Sequence, residues 1–188
     1  MFILYALPIG LLAGFLSGGR FTGLAELTFR WPAAMFIGLL VQIVLFSDQV
    51  TATIGSAGPP IYVASTAAVF LAVLANRATP GMPIVALGAA SNFVAIAANG
   101  GYMPANAEAL RVLGRVESTV YSNSAVVADP VLAPLTDIFA LPAWFPLANI
   151  FSVGDVLIAI GVIVAIAAGM RAEPDRAADP EPQAKPAA

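Results

Sequence analysis

The sequence predicts an all-α fold: an integral membrane bundle of five transmembrane helices, N-terminus outside and C-terminus cytoplasmic. Three observations predict it. Of 188 residues 60% are hydrophobic and only 10% charged, with a mean hydropathy of +0.89, whereas soluble domains carry roughly 25% charged residues. The apolar residues fall into five runs with no Asp, Glu, Lys or Arg at the middle of any of them. The basic residues between those runs then alternate from side to side.

The first run, "MFILYALPIGLLAGFLS", starts at Met1 and ends at "GGR" (18–20). It resembles a signal peptide in position, but a basic n-region and an A-x-A-like cleavage site are missing, so it is read as a helix. The others are "WPAAMFIGLLVQIVLF" (31–46), "PIYVASTAAVFLAVLA" (60–75), "PGMPIVALGAASNFVAIAA" (80–98) and "IFSVGDVLIAIGVIVAIAAGM" (150–170). Several fall short of the ~20 residues a spanning helix needs, so flanking interfacial residues or a locally thin bilayer must complete them. Arg20, Arg30, Arg77, Arg171, Arg176 and Lys185 share one side, while Arg111 and Arg115 lie on the other. The positive-inside rule makes the six-residue side cytoplasmic.

Residues 1–171 thus form the membrane domain, with an extracytoplasmic loop at 99–149. The Pro-, Ala- and charge-rich tail, 172–188, has little to bury and is expected to be disordered. The link "RFTGLAELTFR" (20–30) reads equally as a short interfacial helix or an ordinary loop. The long outer loop carries a helix-like stretch at 105–117. Further on, "DIFALPAWFPLAN" (137–149) sets Phe139, Trp144 and Phe145 among prolines, as in an aromatic belt at the membrane surface.

Composition also excludes functions. A net charge of −3 without a basic block excludes nucleic-acid binding. The chain has no Cys and no His, so disulfides, iron–sulfur clusters, zinc and haem lose their usual ligands, and neither metal nor cofactor is expected. Without an ionisable group at mid-span a charge-coupled transporter is disfavoured. The expected partners are the lipid bilayer and either another membrane protein or a second copy of the chain.

Small and polar residues inside the runs give the site candidates. Gly10, Gly14 and Gly18 stand four apart on one helix face, for internal packing or dimerisation. Gln42 and Asn92 need interhelical partners, because lipid offers none. At the outer rim, the end of the fourth run and the start of the fifth place Asn92, Asn99, Ser152 and Asp155 around one shallow polar pocket. A structural role is as well supported: "NGG" (99–101) suits a helix C-terminus turning with positive φ. Ser152 with Asp155 three residues on is a near capping box.

"GGR" (18–20), "NGGYMP" (99–104), "LP" (141–142) and "NIFSVGDVLIAIG" (149–161) together resemble a family of small bacterial multi-pass membrane proteins catalogued only as a domain of unknown function. The resemblance covers residues 1 to about 170 and implies no activity. More distantly, "GAASNFVAI" (88–96) and "IFSVGDVLIAIG" (150–161) resemble the two motifs of lipoprotein signal peptidases, membrane aspartic proteases with two catalytic Asp residues. Gly88, Ala89, Asn92, Phe151, Asp155, Ile158 and Gly161 match those motifs. Ala95 stands where the first catalytic Asp belongs, Ile96 where Arg belongs, and Ser152 replaces the motif Asn. Since a lone carboxylate cannot both activate water and polarise the carbonyl, the resemblance implies a shared helical frame without the dyad. The expectation is a non-enzymatic accessory or binding component; the alternative is an outer-leaflet hydrolase using Asp155.

Overall fold

A computed structural model of the chain describes residues 2–114 and 124–172. The expected tail from residue 173 on, together with Arg115 and Glu117, lies outside the described residues. The described residues are mostly helical, 66% of them in helix, with little strand. Among the described residues seven α-helices follow one another: α1 (Ala6–Leu16), α2 (Pro32–Leu45), α3 (Asp48–Ile54), α4 (Gly58–Ala75), α5 (Met82–Ala98), α6 (Ala107–Val112) and α7 (Val153–Gly169). Strand β1 (Met103–Pro104) pairs in parallel with β2 (Ser124–Ala125), and β3 (Phe139–Ala140) pairs antiparallel with β4 (Ile150–Phe151).

Helix boundaries follow local chemistry. Proline occupies the first turn of α2, α4 and α5, where its missing N–H has no intrahelical partner to lose. Asn106 opens α6 by accepting from the backbone N–H groups of Glu108 and Ala109. The helical stretch read at 105–117 thus begins at Ala107 and ends at Val112, within its described part. Ser152 and Asp155 close a full capping box at the start of α7. α1 ends in a Schellman motif, with the N–H of Gly19 bonded to Gly14 O at 2.9 Å and that of Gly18 to Phe15 O at 3.0 Å.

Gly18 therefore serves the turn and not the packing face: its φ is +80° and a side chain there would meet nothing within 4 Å. This corrects the three-glycine stripe to two. At Gly10 a Cβ would stand 3.0 Å from Ile166 Cβ, and at Gly14 it would overlap Met170 Sδ, so both glycines pack internally against α7. Of the two readings of the link from Arg20 to Arg30, the structure has the short helix, of 3₁₀ type, over Phe21–Glu26. Its Gly23 lies against the last carbonyls of α7, at Gly169 and Met170.

By length and composition one helix among the described residues qualifies as a membrane span: Asp48–Ala75, 28 residues, mean hydropathy 1.7, in which α3 and α4 join through a 3₁₀ turn. Four shorter apolar helices accompany it, at Phe2–Leu16, Pro32–Leu45, Met82–Ala98 and Val153–Gly169. The residues around Asp48, expected to be a loop, thus form α3. Its apolar positions Val50 and Ile54 pack on a core of Leu45, Tyr62, Ala95, Ile96 and Met103. A second core near the opposite end holds Val73, Met82, Val85 and Ala86.

Helix α7 lies between α1 and α5, and α4 joins α5 to α2. The α5–α7 contact rests on two reciprocal glycine pairs. A Cβ at Gly81 would overlap Gly161 O and one at Gly161 would stand 2.8 Å from Gly81 O; Gly88 and Gly154 relate in the same way. Seven-residue spacing on both helices repeats the contact every two turns, so the backbones approach closely enough for Cα–H···O contacts.

Candidate functional site

At the second glycine pair the start of α7 meets α5, and three of the four rim residues come together. Asn92 Nδ2 donates to Asp155 Oδ1 at 2.8 Å, and Ser152 Oγ donates to Asn92 Oδ1 at 2.8 Å. Within the capping box Asp155 N donates to Ser152 Oγ at 3.1 Å, and Ser152 N donates to Asp155 Oδ2 at 3.2 Å. The result is a closed ring in which each polar atom of the three side chains has a partner inside the ring. Ser152 is fully buried. Gly154 makes the ring possible, because a Cβ there would overlap Asn92 Oδ1 and stand 2.8 Å from Gly88 O.

Asn99 is elsewhere, two helical turns on. Its Nδ2 donates to Ala95 O at 2.7 Å and Val131 O at 2.9 Å, and its Oδ1 accepts from Val131 N at 2.9 Å. The carboxamide thus pairs with the peptide groups of Val131 as a neighbouring strand would. The shared four-residue pocket is corrected to a three-residue ring and a separate clamp. Gly100 and Gly101, at φ +70° and +88°, complete the turn read from "NGG", and Gly101 N closes it on Ile96 O at 2.9 Å.

A second clamp of the same kind carried no signal in the sequence. Asn76, buried at the end of α4, donates from Nδ2 to Ala72 O at 2.7 Å and Arg30 O at 2.9 Å and accepts from Arg30 N at 2.7 Å. In both clamps the residue after the clamped one is left-handed, Trp31 at φ 54° and Leu132 at φ 57°, and a proline-led helical turn follows. Gln42 reaches Thr66 of α4 with Nε2 at 3.4 Å, a long bond that still joins two helices.

Each oxygen of Asp155 accepts one hydrogen bond within the ring, Oδ1 from Asn92 Nδ2 and Oδ2 from Ser152 N. Ala95 is fully buried in the core with Leu45 and Tyr62. A cavity close by is of another character: a groove of about 340 Å³ between α1 and α7, lined by Ile9, Val156, Ile160 and Ile163 together with Leu141 and Phe145. At its mouth the hydroxyl of Tyr5 donates to the carbonyl of Pro146.

A family model matches residues 26–167, from the 3₁₀ segment to the last turn of α7. The chain belongs to DUF5317, a family of unknown function. The DUF5317 match takes in the ring, both clamps and both α5–α7 glycine pairs, and it leaves out α1 and the "GGR" turn. No curated protein and no solved structure matches the chain.

Proposed function

We propose that this DUF5317 protein crosses the cytoplasmic membrane five times, N-terminus outside and C-terminus in the cytoplasm, and acts there as a non-catalytic accessory or binding component. The distribution of charge supports the orientation. Arg20 bonds through its backbone to Met170 O, next to Arg171, and Arg30 bonds to Asn76, next to Arg77, so four basic residues gather at one end of the bundle. Large apolar side chains point outward along α1 and α2, among them Leu12, Leu16, Phe36 and Ile43, as lipid contact demands. The 14 to 18 residues of α2, α4, α5 and α7 measure roughly 21–27 Å at 1.5 Å per residue. Aromatic and apolar ends, or a thinned bilayer, supply the remainder.

The observation that carries the non-catalytic reading is the closed ring. An outer-leaflet hydrolase working through Asp155 would need a second acid beside it, and the residues bonded to Asp155 in the ring are Asn92 and Ser152, neither of them acidic. The groove between α1 and α7 suits an apolar occupant, an acyl chain or a helix of another membrane protein, since no charged residue lines it.

Purification of the full chain in mild detergent, with identification of what accompanies it, tests the reading. A stoichiometric protein or a retained lipid is expected, unchanged in Asp155→Asn. Peptide or lipid cleavage that disappears in Asp155→Asn would overturn it. Reporter fusions at Arg77 and Ala188 test the orientation, and both are expected to signal from the cytoplasm; an external signal from either would reverse it.

A further inference from the structure

The helices do not begin at one level. At the outer end of the bundle, α3 exposes Asp48, Gln49 and Thr53 while its Val50 and Ile54 pack on the core containing Ala95 and Ile96. The last turn of α5 is therefore level with exposed polar groups. Helix α7 starts lower, since Gly154 and Asp155 meet Gly88 and Asn92. From Asn92 to the end of α5 at Ala98 is about 9 Å at 1.5 Å per residue. The 3₁₀ turn that leads into α1, Phe2–Tyr5, shares the lower level, with Phe2 stacked on Phe151 at 4.2 Å.

The space above these two sunken helix ends holds the β3–β4 hairpin and its connecting loop. No charged residue occurs from Ile138 to Gly154. The side chains at its surface are apolar: Phe139 is 43% exposed, Trp144 80% and Leu147 55%. Its main chain is largely self-satisfied: β3 pairs with β4, Leu141 N bonds Asn149 O at 3.0 Å, Phe145 N bonds Pro142 O at 2.9 Å and Ala148 N bonds Phe145 O at 3.1 Å. Pro142 and Pro146 carry no N–H, and the Pro146 carbonyl is taken by Tyr5. Low charge, apolar exposure and internal backbone pairing are what backbone at membrane depth requires.

We propose that the segment from Ile138 to Phe151 is inserted in the outer leaflet, with lipid acyl chains as its partner, resting on α1 and α7 where those helices stop short of the surface. The inference rests on the five-span reading and deepens it. A depth of about 9 Å beneath the end of α5 lies within one leaflet of a hydrocarbon core about 30 Å thick. Trp144 is then an anchor lodged among chains, and the lateral mouth of the α1–α7 groove opens into the same leaflet.

The chain has two tryptophans, Trp31 and Trp144, and the reading sets them on opposite sides of the membrane. Full-length Trp31→Phe and Trp144→Phe, reconstituted in phosphatidylcholine vesicles whose acyl chains are brominated at stated positions, each report one of them. Trp144 is expected to lose most of its emission to acyl-chain bromine and to resist aqueous iodide, while Trp31 answers to shallow bromine. If iodide quenches Trp144 and bromine does not, while Trp31 still answers to bromine, the hairpin is in water and the insertion is overturned although the spans stand. If neither tryptophan answers to bromine, the five-span reading falls, and the insertion with it. The wild-type signal must equal the sum of the two variants, which exposes a misfolded one.

Discussion

Replacing Gly154 with alanine probes the tightest part of the molecule. The added methyl would overlap Asn92 Oδ1, with Asn92 Cγ at 2.7 Å and Gly88 O at 2.8 Å. Two of these atoms belong to a side chain held by two hydrogen bonds, and the third is main chain on a packed helix, so neither neighbour yields cheaply. Overpacking of this kind costs about 1–3 kcal/mol, and alanine's better helix propensity returns at most about 1 kcal/mol. Displacing Asn92 further forfeits its bonds to Asp155 and Ser152, each about 0.5–1.5 kcal/mol. The expected loss in Gly154→Ala is therefore about 2–3 kcal/mol when these terms combine. Asn92→Ala alone forfeits the same two bonds, about 1–3 kcal/mol. The double variant should be more stable than the sum of the single effects predicts, by about 1 kcal/mol or more, because the methyl then enters the space Asn92 vacated. Unfolding in mixed detergent micelles, followed by far-ultraviolet circular dichroism, measures all four proteins. Additive effects, or a Gly154→Ala variant as stable as wild type, would refute the ring as the joint between α5 and α7.

Ser152→Ala should lose about 0.5–2 kcal/mol as a missing cap, in the same unfolding assay, and Ser152→Thr should not fully restore it, because its extra methyl enters a fully buried site. Gly81→Ala should destabilise more than Gly14→Ala, in melting temperature. At Gly81 the new atom meets the main chain of Gly161 at a φ of +81°, whereas at Gly14 it meets the flexible Met170 side chain. Asn76→Ala should hasten hydrogen exchange at the amide of Arg30 and leave Val131 unchanged; Asn99→Ala should do the reverse. Equal acceleration at both amides would show that the clamps act through the whole bundle and not locally.

Much of the helical frame was legible in the sequence because its boundaries are written in local chemistry. Pro32, Pro59 and Pro83 open helices, Gly18 and Gly100 close them, and Ser152 with Asp155 caps α7 at the spacing such a box requires. The joining of Asn92, Ser152 and Asp155 was also legible, since polar groups in apolar runs must meet one another. What failed was depth: Asn92 and Asn99 share a helix face, yet α7 starts low enough to reach only the first, and no local pattern encodes that offset. Asn76 passed unnoticed for a related reason. Its partner is a peptide group 46 residues earlier, and a peptide group leaves no mark in a sequence. Gly81, Gly88, Gly154 and Gly161 did leave one, a seven-residue spacing in two separate runs, although pairing them required the antiparallel register that only the fold supplies.

Both carboxamide clamps read main chain alone. Asn76 grips the N–H and C=O of residue 30, and Asn99 those of residue 131, whatever side chains those residues carry. Side-chain identity at 30 and 131 is thereby uncoupled from loop position. Any residue that keeps its N–H, and so any but proline, can be exchanged there without shifting the path of either connection. Neither the charge of Arg30 nor the methyl groups of Val131 take part in the clamp bonds. At these two positions the protein can alter what it presents to its surroundings while the helices beneath keep their places.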